Sequence, residues 1–88
     1  MKHFTLPRFW RFYRSLPNDI QKLADRNYQL LLSDPKHPSL HFKKLGTKEH
    51  LWSVRVGLSY RALGRELEGS IYWFWIGTHA DYDRLIRQ

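Results

Sequence analysis

Two segments of the chain carry guanidinium, imidazole and phenol side chains at a spacing that would let them bind an anion and exchange protons with it. Arg55 and Arg61 flank a short glycine-containing loop, and His79 and Tyr82 follow the last apolar run of the sequence. Guanidinium groups hold phosphates through paired hydrogen bonds, and an imidazole exchanges a proton near neutral pH. These residue types together predict an anion site with titratable groups.

The two arginines are expected to share one face of a β-hairpin. Side chains alternate across a strand, so the valines on either side of Arg55 point to the face opposite Arg55. If residues 57–59 form a three-residue loop, Arg55 pairs with Arg61 and the apolar residues collect on the other face. A two-residue loop would place Arg55 opposite Ala62, so the hydrophobic pattern favours the longer loop.

Like charges placed directly opposite each other destabilise a sheet, which favours an anion between these arginines. We therefore predict a phosphate clamp at this pair. The alternative is that the two guanidinium groups diverge into water, where exposed charges are well screened. Lys43 and Lys44 belong to a neighbouring predicted strand, and one of them would extend the positive field on the arginine face.

His79 and Tyr82 are expected on the first turn of a final helix, where residues three apart are neighbours. A helix N-terminus and nearby guanidinium groups both disfavour a protonated imidazole, so His79 could accept a proton as a general base. Tyr82 could stack on a base or donate to a phosphate, and Arg84 would add charge at the rim. The alternative is a capping histidine, a half-buried core tyrosine and a surface arginine.

The remaining motifs predict no metal and no cofactor. His37 and His41 are four residues apart, but Pro38 interrupts any helix that would carry both, and the pattern offers no third ligand. The sequence contains no glycine-rich phosphate loop, no Gly-x-Ser-x-Gly elbow and no cysteine. Nucleotide hydrolysis, serine hydrolysis and thiol catalysis are therefore not supported.

Length and charge restrict the class of protein. With 88 residues, the chain is expected to form a single domain over residues 1–88. Fifteen Lys and Arg against eight Asp and Glu leave a net charge of +7, which favours a polyanionic partner over a neutral small molecule. The alternative is that the charge serves solubility alone. The longest apolar run, residues 71–76, is far short of the ~20 residues of a membrane helix, so we expect a soluble protein.

The periodicities predict an α+β fold in which two N-terminal helices pack on a four-stranded, mainly antiparallel sheet, followed by a short C-terminal helix. Thr5 with Pro7 marks the start of the first helix, and Pro17 opens a second that Asp34–Pro35 ends. The remaining elements are expected to be strands at residues 40–45, 51–56, 60–67 and 70–76 and a helix at about 79–86.

The chain resembles the RelE/ParE superfamily of toxins, especially its HigB-like and YoeB-like ribonucleases. The resemblance covers nearly the whole chain and agrees with the predicted order of elements. It rests on Leu16-Pro17, His37-Pro-Ser-Leu40, Lys44-Leu45, Trp52-Ser-Val-Arg-Val56, Tyr60-Arg61-Ala-Leu63 and Trp75-Ile-Gly-Thr-His79 with Tyr82.

The resemblance implies the toxin half of a type II toxin–antitoxin pair, a cytoplasmic protein inhibited by a cognate antitoxin. Such a toxin enters the ribosomal A site and cuts mRNA without a metal, by attack of the RNA 2′-hydroxyl on the adjacent phosphate. By position, Arg61 resembles the phosphate-stabilising arginine and Arg55 the strand-borne cation. His79 with Tyr82 resembles the C-terminal acid/base and base-stacking group.

Lys43, Lys44 and Arg84 are expected to contact RNA through their positive charge, and the resemblance adds no role for them. It leaves the general base and the general acid open, because some superfamily members use a carboxylate that this sequence does not place. Glu49, in a predicted loop nearby, is a candidate. Two other functions also remain open, namely inhibition of DNA gyrase in the manner of ParE and RNA binding without cleavage.

Overall fold

A mixed β-sheet with helices on both faces is the framework of the fold, which a computed structural model describes over residues 1–46 and 50–87. Within these residues, no helix has the length and apolar character needed to span a membrane. The elements in chain order are β1 (Lys2–Thr5), α1 (Pro7–Arg14), α2 (Asn18–Ser33), a 3₁₀ turn (Pro38–Leu40), β2 (Lys43–Leu45), β3 (Leu51–Val56), β4 (Tyr60–Leu67), β5 (Ser70–Thr78) and α3 (His79–Ile86).

The sheet has one strand more than the sequence predicted. Its order is β1-β5-β4-β3-β2, with β1 parallel to β5 and every other neighbour antiparallel. The additional strand, β1, is four residues long and ends just before the proline that starts α1, so its own periodicity is weak. The predicted first strand is also shorter than expected, because Leu40 lies fully buried in the 3₁₀ turn rather than in β2.

The predicted α+β class, with two N-terminal helices and a C-terminal helix, is confirmed. So is the hairpin register, since Val56 pairs with Tyr60, and Arg55 pairs with Arg61 across the three-residue loop. Gly57 opens that loop with a φ of +65°, a conformation that glycine adopts without strain. A Cβ there would also lie 2.7 Å from the end of the Leu23 side chain, which would have to move.

The main core lies between the sheet and the α1–α2 pair. Its buried members come from α2, the 3₁₀ turn and the three central strands, namely Leu31, Leu40, Val54, Val56, Ala62, Ile71, Trp73 and Ile76. The Tyr13 hydroxyl donates to Asp25 Oδ1 at 2.8 Å and so links α1 to α2. Apolar stripes at helical spacing are therefore used for packing, as predicted.

A smaller cluster on the opposite face of the sheet holds α3. It is formed by Leu63, Trp75 and Tyr82. A register shift after Leu63 pairs that residue with Trp75 and the next residue with Trp73, which turns the two indoles to opposite faces. The strand carrying Trp73 and Trp75 is thus covered on both sides, which is typical of a strand with a continuous apolar run.

His3 links the stability of β1 to pH. Its ring stacks on Trp73 with centroids 6.0 Å apart, and its Nδ1 accepts a hydrogen bond from Trp73 Nε1 at 3.1 Å. Burial, and secondarily the positive N-terminus, lower the pKa of His3 below its ordinary value of 6.5. The unfolded chain therefore binds more protons than the folded chain as the pH falls past 6.5, which favours unfolding.

We expect the free energy of unfolding to decrease as the pH is lowered from above 6.5 toward the lowered pKa of folded His3. Urea unfolding over a series of pH values measures this change. The matched variant His3→Phe keeps an aromatic ring and removes the titrating group, so its stability should depend less on pH. Equal pH dependence in the two proteins would contradict the assignment to His3.

Candidate active-site cleft

A polar cleft of about 380 Å³ opens on the sheet face that carries α3. Strands β2, β3 and β4 form its floor and α3 forms one wall. It is lined by His41, Lys43, Leu45, Ser53, Arg55, Arg61, His79, Tyr82, Asp83 and Ile86. The four residues that the sequence predicted as catalytic all line this cleft, namely Arg55, Arg61, His79 and Tyr82.

The arginine pair occupies the floor of the cleft. Arg55 and Arg61 are directly opposite each other in the β3–β4 register, so both side chains project from the same face. Arg55 Nη2 lies 3.4 Å from His41 Nδ1, while Arg55 Nε is buried and has no hydrogen-bond partner among the described residues. A buried N–H donor without a partner is costly to the folded chain.

Arg61 is fixed by the loop between β3 and β4. Its Nη1 donates to the carbonyl oxygens of Tyr60 at 2.8 Å, Leu58 at 3.3 Å and Gly57 at 3.5 Å. Burial, and secondarily the charge of Arg55, lower the pKa of Arg61 below its usual range. A guanidinium stays protonated in proteins even so, which means that the cleft retains two positive charges.

The same loop fixes the start of α3. The backbone N–H of His79 donates to the carbonyl of Ser59 at 2.8 Å, and the Thr78 hydroxyl caps the helix by accepting from the N–H of Asp81 at 3.2 Å. The loop between β3 and β4 therefore positions both a cation, Arg61, and an imidazole, His79. This local arrangement explains how distant parts of the sequence meet in one cleft.

Asp83 is a cleft residue that the sequence interpretation missed. Its Oδ2 lies 3.0 Å from His79 Nδ1, one helical turn along α3. The spacing of four residues within a predicted helix could have revealed the pair, because such residues are neighbours on a helix surface. The carboxylate candidate named from the sequence, Glu49, lies outside the described residues.

Tyr82 is packed more deeply than the sequence alternatives suggested. Only 6% of the residue is exposed, and it contacts Leu63 and Trp75 in the cluster that holds α3. Its ring meets that of His79 at 67° with centroids 5.9 Å apart. Little of the ring is therefore free to stack on a base, and the side chain mainly supports the wall of the cleft.

We expect Tyr82→Ala to lower the free energy of unfolding by about 3 kcal/mol, because it removes a buried ring from a small cluster. Tyr82→Phe keeps the ring and should cost less than about 1.5 kcal/mol. Urea unfolding of the two variants separates packing from any role of the hydroxyl. Equal destabilisation by both variants would show that the hydroxyl, rather than the ring, holds α3.

The two lysines of β2 lie on opposite faces of the sheet. Lys43 pairs with Ser53 and lines the cleft, as the sequence predicted for one of the two. Lys44 pairs with Trp52, so it shares the face that carries α1 and α2, and its Nζ lies 3.7 Å from Glu66 Oε1. The structure therefore brings Lys43, but not Lys44, to the arginine pair.

Arg84 lies on the exposed outer surface of α3. Its guanidinium pairs with the carboxylate of Asp81 three residues earlier, and both side chains are largely exposed. It does not line the cleft. The structure therefore leaves Arg84 at a distance from the arginine pair, on the solvent side of the helix.

A second cavity, of about 290 Å³, lies between α1, α2 and the sheet. Its walls are mainly core side chains, and the carboxylate of Asp25 at its margin already accepts the hydrogen bond from Tyr13. It offers no cluster of cations or imidazoles. The polar cleft, rather than this cavity, is therefore the candidate active site.

Comparisons with known proteins agree with the fold. The family model described as the ParE-like toxin domain matches residues 18–84. No curated protein matches the chain. One similar solved structure is the RelB–RelE antitoxin–toxin complex of Methanococcus jannaschii, with 18% identity over 92% of this chain and 96% of the matched chain and a TM-score of 0.70.

Two further structures have the same fold. YafQ from E. coli strain BL21(DE3) is 10% identical over 92% of this chain and 96% of its own, with a TM-score of 0.71. The RelBE2 toxin–antitoxin complex of Mycobacterium tuberculosis is 17% identical over 89% and 96%, with a TM-score of 0.66. At such low identities, these similarities establish the shared architecture and leave the chemistry to the residues of this chain.

Proposed function

The chain belongs to the ParE-like toxin domain family, and from this premise we propose that it is the toxin of a type II toxin–antitoxin pair that cleaves mRNA on the ribosome. The proposal takes residues 1–88 as one domain acting in the cytoplasm. Its basic surface, with a net charge of +7, suits both RNA and an acidic inhibitor.

The single observation that carries the proposal is the arginine pair in the cleft. Arg55 and Arg61 are directly opposite each other in the β3–β4 register, and both side chains line the cleft with His79. Such an arrangement is unfavourable until an anion lies between the arginines. A phosphate of the RNA backbone has the charge and the acceptor oxygens to fill that position.

The proposed reaction is attack of a ribose 2′-hydroxyl on the adjacent phosphate, without a metal cofactor. A bond forms from the 2′-oxygen to phosphorus, the bond to the 5′-oxygen breaks, and a cyclic phosphate and a 5′-hydroxyl result. Arg55 and Arg61 stabilise the negative charge that develops on the phosphate oxygens. His79 exchanges the proton that leaves the 2′-oxygen or reaches the 5′-oxygen.

The experiment that tests this function is the mapping of transcript ends after induced expression, with and without the gene next to this one. New 5′ ends in mRNA are expected when the chain is expressed alone, and they should disappear when its antitoxin is coexpressed. Growth arrest without new 5′ ends would contradict the proposal. Purified ribosomes with a defined mRNA would then establish whether cleavage depends on translation.

Inhibition of DNA gyrase is a second candidate, favoured by one observation, the match to a ParE-like family model. It would act through protein contacts, so the arginine pair would not be needed for it. A supercoiling assay with purified gyrase and saturating toxin tests it, and unchanged supercoiling would eliminate it. RNA binding without cleavage, a third possibility from the sequence, would give salt-dependent affinity with intact transcripts.

The partner implied by this proposal is a cognate antitoxin. Two of the similar structures are complexes of a toxin with its antitoxin, which supports a protein partner for this chain. Copurification of the chain with the product of the adjacent gene tests the pairing. Failure of that product to bind or to restore growth would remove this partner from the proposal.

A further inference from the structure

We propose that Asp83 is a positioning residue that keeps the proton of the His79 imidazole on Nδ1, so that Nε2 is the nitrogen that exchanges a proton with RNA. The inference deepens the proposed function and rests on it for the role of Nε2. The contact between Asp83 and His79 itself is a property of the folded chain and can be tested without RNA.

The contact defines which tautomer the imidazole adopts. Asp83 Oδ2 lies 3.0 Å from His79 Nδ1, and both residues line the cleft. An ionised carboxylate accepts hydrogen bonds and donates none, so the proton of the neutral ring must sit on Nδ1. Nε2 then carries the lone pair, and a basic nitrogen is available for the 2′-hydroxyl or, once protonated, for the leaving oxygen.

The order of the two residues along α3 is the less favourable one for helix stability. An acidic residue one turn before a basic residue is the favourable order, because anions are stabilised near the N-terminus of a helix and cations near its C-terminus. Asp81 and Arg84 on the same helix have this order. His79 and Asp83 have the reverse order, with the carboxylate on the C-terminal side, so their pairing favours a role in the cleft.

Asp83 also differs in charge from its surroundings. The titratable and charged groups that line the cleft with His79 are Tyr82 and Asp83 on its own helix, and His41, Lys43, Arg55 and Arg61 on the neighbouring strands and the segment before β2. Asp83 is the one carboxylate among these described residues. It is therefore the cleft-lining carboxylate that is placed to accept a hydrogen bond from the imidazole N–H.

The tautomer can be measured directly by long-range ¹H–¹⁵N NMR of the uniformly labelled chain at a pH where the histidines are neutral. The His79 signals are assigned by their loss in His79→Gln. We expect the Nδ1–H tautomer in the unsubstituted protein and a shift toward Nε2–H in Asp83→Ala. Asp83→Asn should retain Nδ1–H, because the amide oxygen still accepts a hydrogen bond.

Asp81→Ala is the matched control, since it removes one carboxylate from the same helix at a position outside the cleft, and it should leave the His79 tautomer unchanged. An Nε2–H tautomer in the unsubstituted protein would overturn the proposal. So would a tautomer that is the same in the unsubstituted protein and in Asp83→Ala.

Cleavage assays test whether the tautomer of His79 affects the rate of RNA cleavage. Asp83→Ala is expected to cleave mRNA at least tenfold more slowly than the unsubstituted protein, and Asp83→Asn should recover part of the rate. Slower cleavage with an unchanged tautomer would overturn the positioning role. A tautomer that shifts as expected in a protein that never cleaves RNA would support the contact and contradict the proposed function instead.

Discussion

Replacing Arg61 with alanine is expected to slow RNA cleavage by roughly 10²- to 10³-fold, the usual cost of removing one donor that stabilises charge in the transition state. The effect should be this large because the guanidinium is held in place by three carbonyl oxygens of the β3–β4 loop before substrate arrives. Single-turnover cleavage of a defined mRNA on programmed ribosomes measures the rate.

Two comparisons make that prediction specific. Arg61→Lys keeps the charge but loses the planar fork of donors, so it should recover little of the rate. Arg26→Ala removes an exposed arginine from α2, on the opposite side of the sheet, and should cleave at the unsubstituted rate. A folded Arg61→Ala protein that cleaves as fast as Arg26→Ala would remove Arg61 from the mechanism.

The folding of the Arg61→Ala variant must be measured alongside its activity. Its guanidinium bonds to the loop that also receives the backbone N–H of His79, so its loss could loosen both walls of the cleft. An unfolding free energy close to that of the unsubstituted protein would assign the lost rate to charge stabilisation. Large destabilisation would assign it to the loop.

Trp73→Ala is expected to lower the free energy of unfolding by about 3–5 kcal/mol, the usual cost of truncating a buried tryptophan. Trp73 is 3% exposed in the main core, stacks on His3, and lies 6.2 Å from the ring centroid of Phe42. Domains are stable by only about 5–15 kcal/mol, so this loss is a large fraction of the total stability. Urea unfolding monitored by circular dichroism measures the change.

Leu58→Ala is the control for this prediction, because Leu58 is 83% exposed in the β3–β4 loop. Its effect should stay within about 0.5 kcal/mol, as is usual for surface substitutions. If Trp73→Ala cost no more than Leu58→Ala, the core described between the sheet and the two N-terminal helices would be wrong. Trp73→Phe should fall between the two, since a smaller ring fills part of the space.

Local patterns in the sequence predicted the hairpin at the centre of the site. Strands β3 and β4 have the predicted bounds, and the pairing of Arg55 with Arg61 followed from alternation together with the length of the loop. Helix α3 also has the predicted bounds, because a threonine cap follows the last apolar run. These features depend on neighbours within a few residues, which a sequence displays directly.

Contacts between segments far apart in the sequence could not be predicted from local patterns. Strand β1 pairs with residues 70–73, near the other end of the chain. The sequence of its own four residues does not indicate which strand it pairs with. Alternation predicted that one of the two lysines of β2 shares the arginine face, but only the register shows that it is Lys43. Pairing between strands far apart in sequence is determined by the whole sheet rather than by local preference.

The sequence by itself therefore determined the class of fold, the shared face of the two arginines and the presence of an imidazole at the start of α3. Only the tertiary structure decided that Tyr82 is buried, that Arg61 is held by loop carbonyls and that Asp83 meets His79. The physical reason is that alternation and helical periodicity fix the face of a side chain. Its burial, rotamer and partners depend on which other elements cover that face.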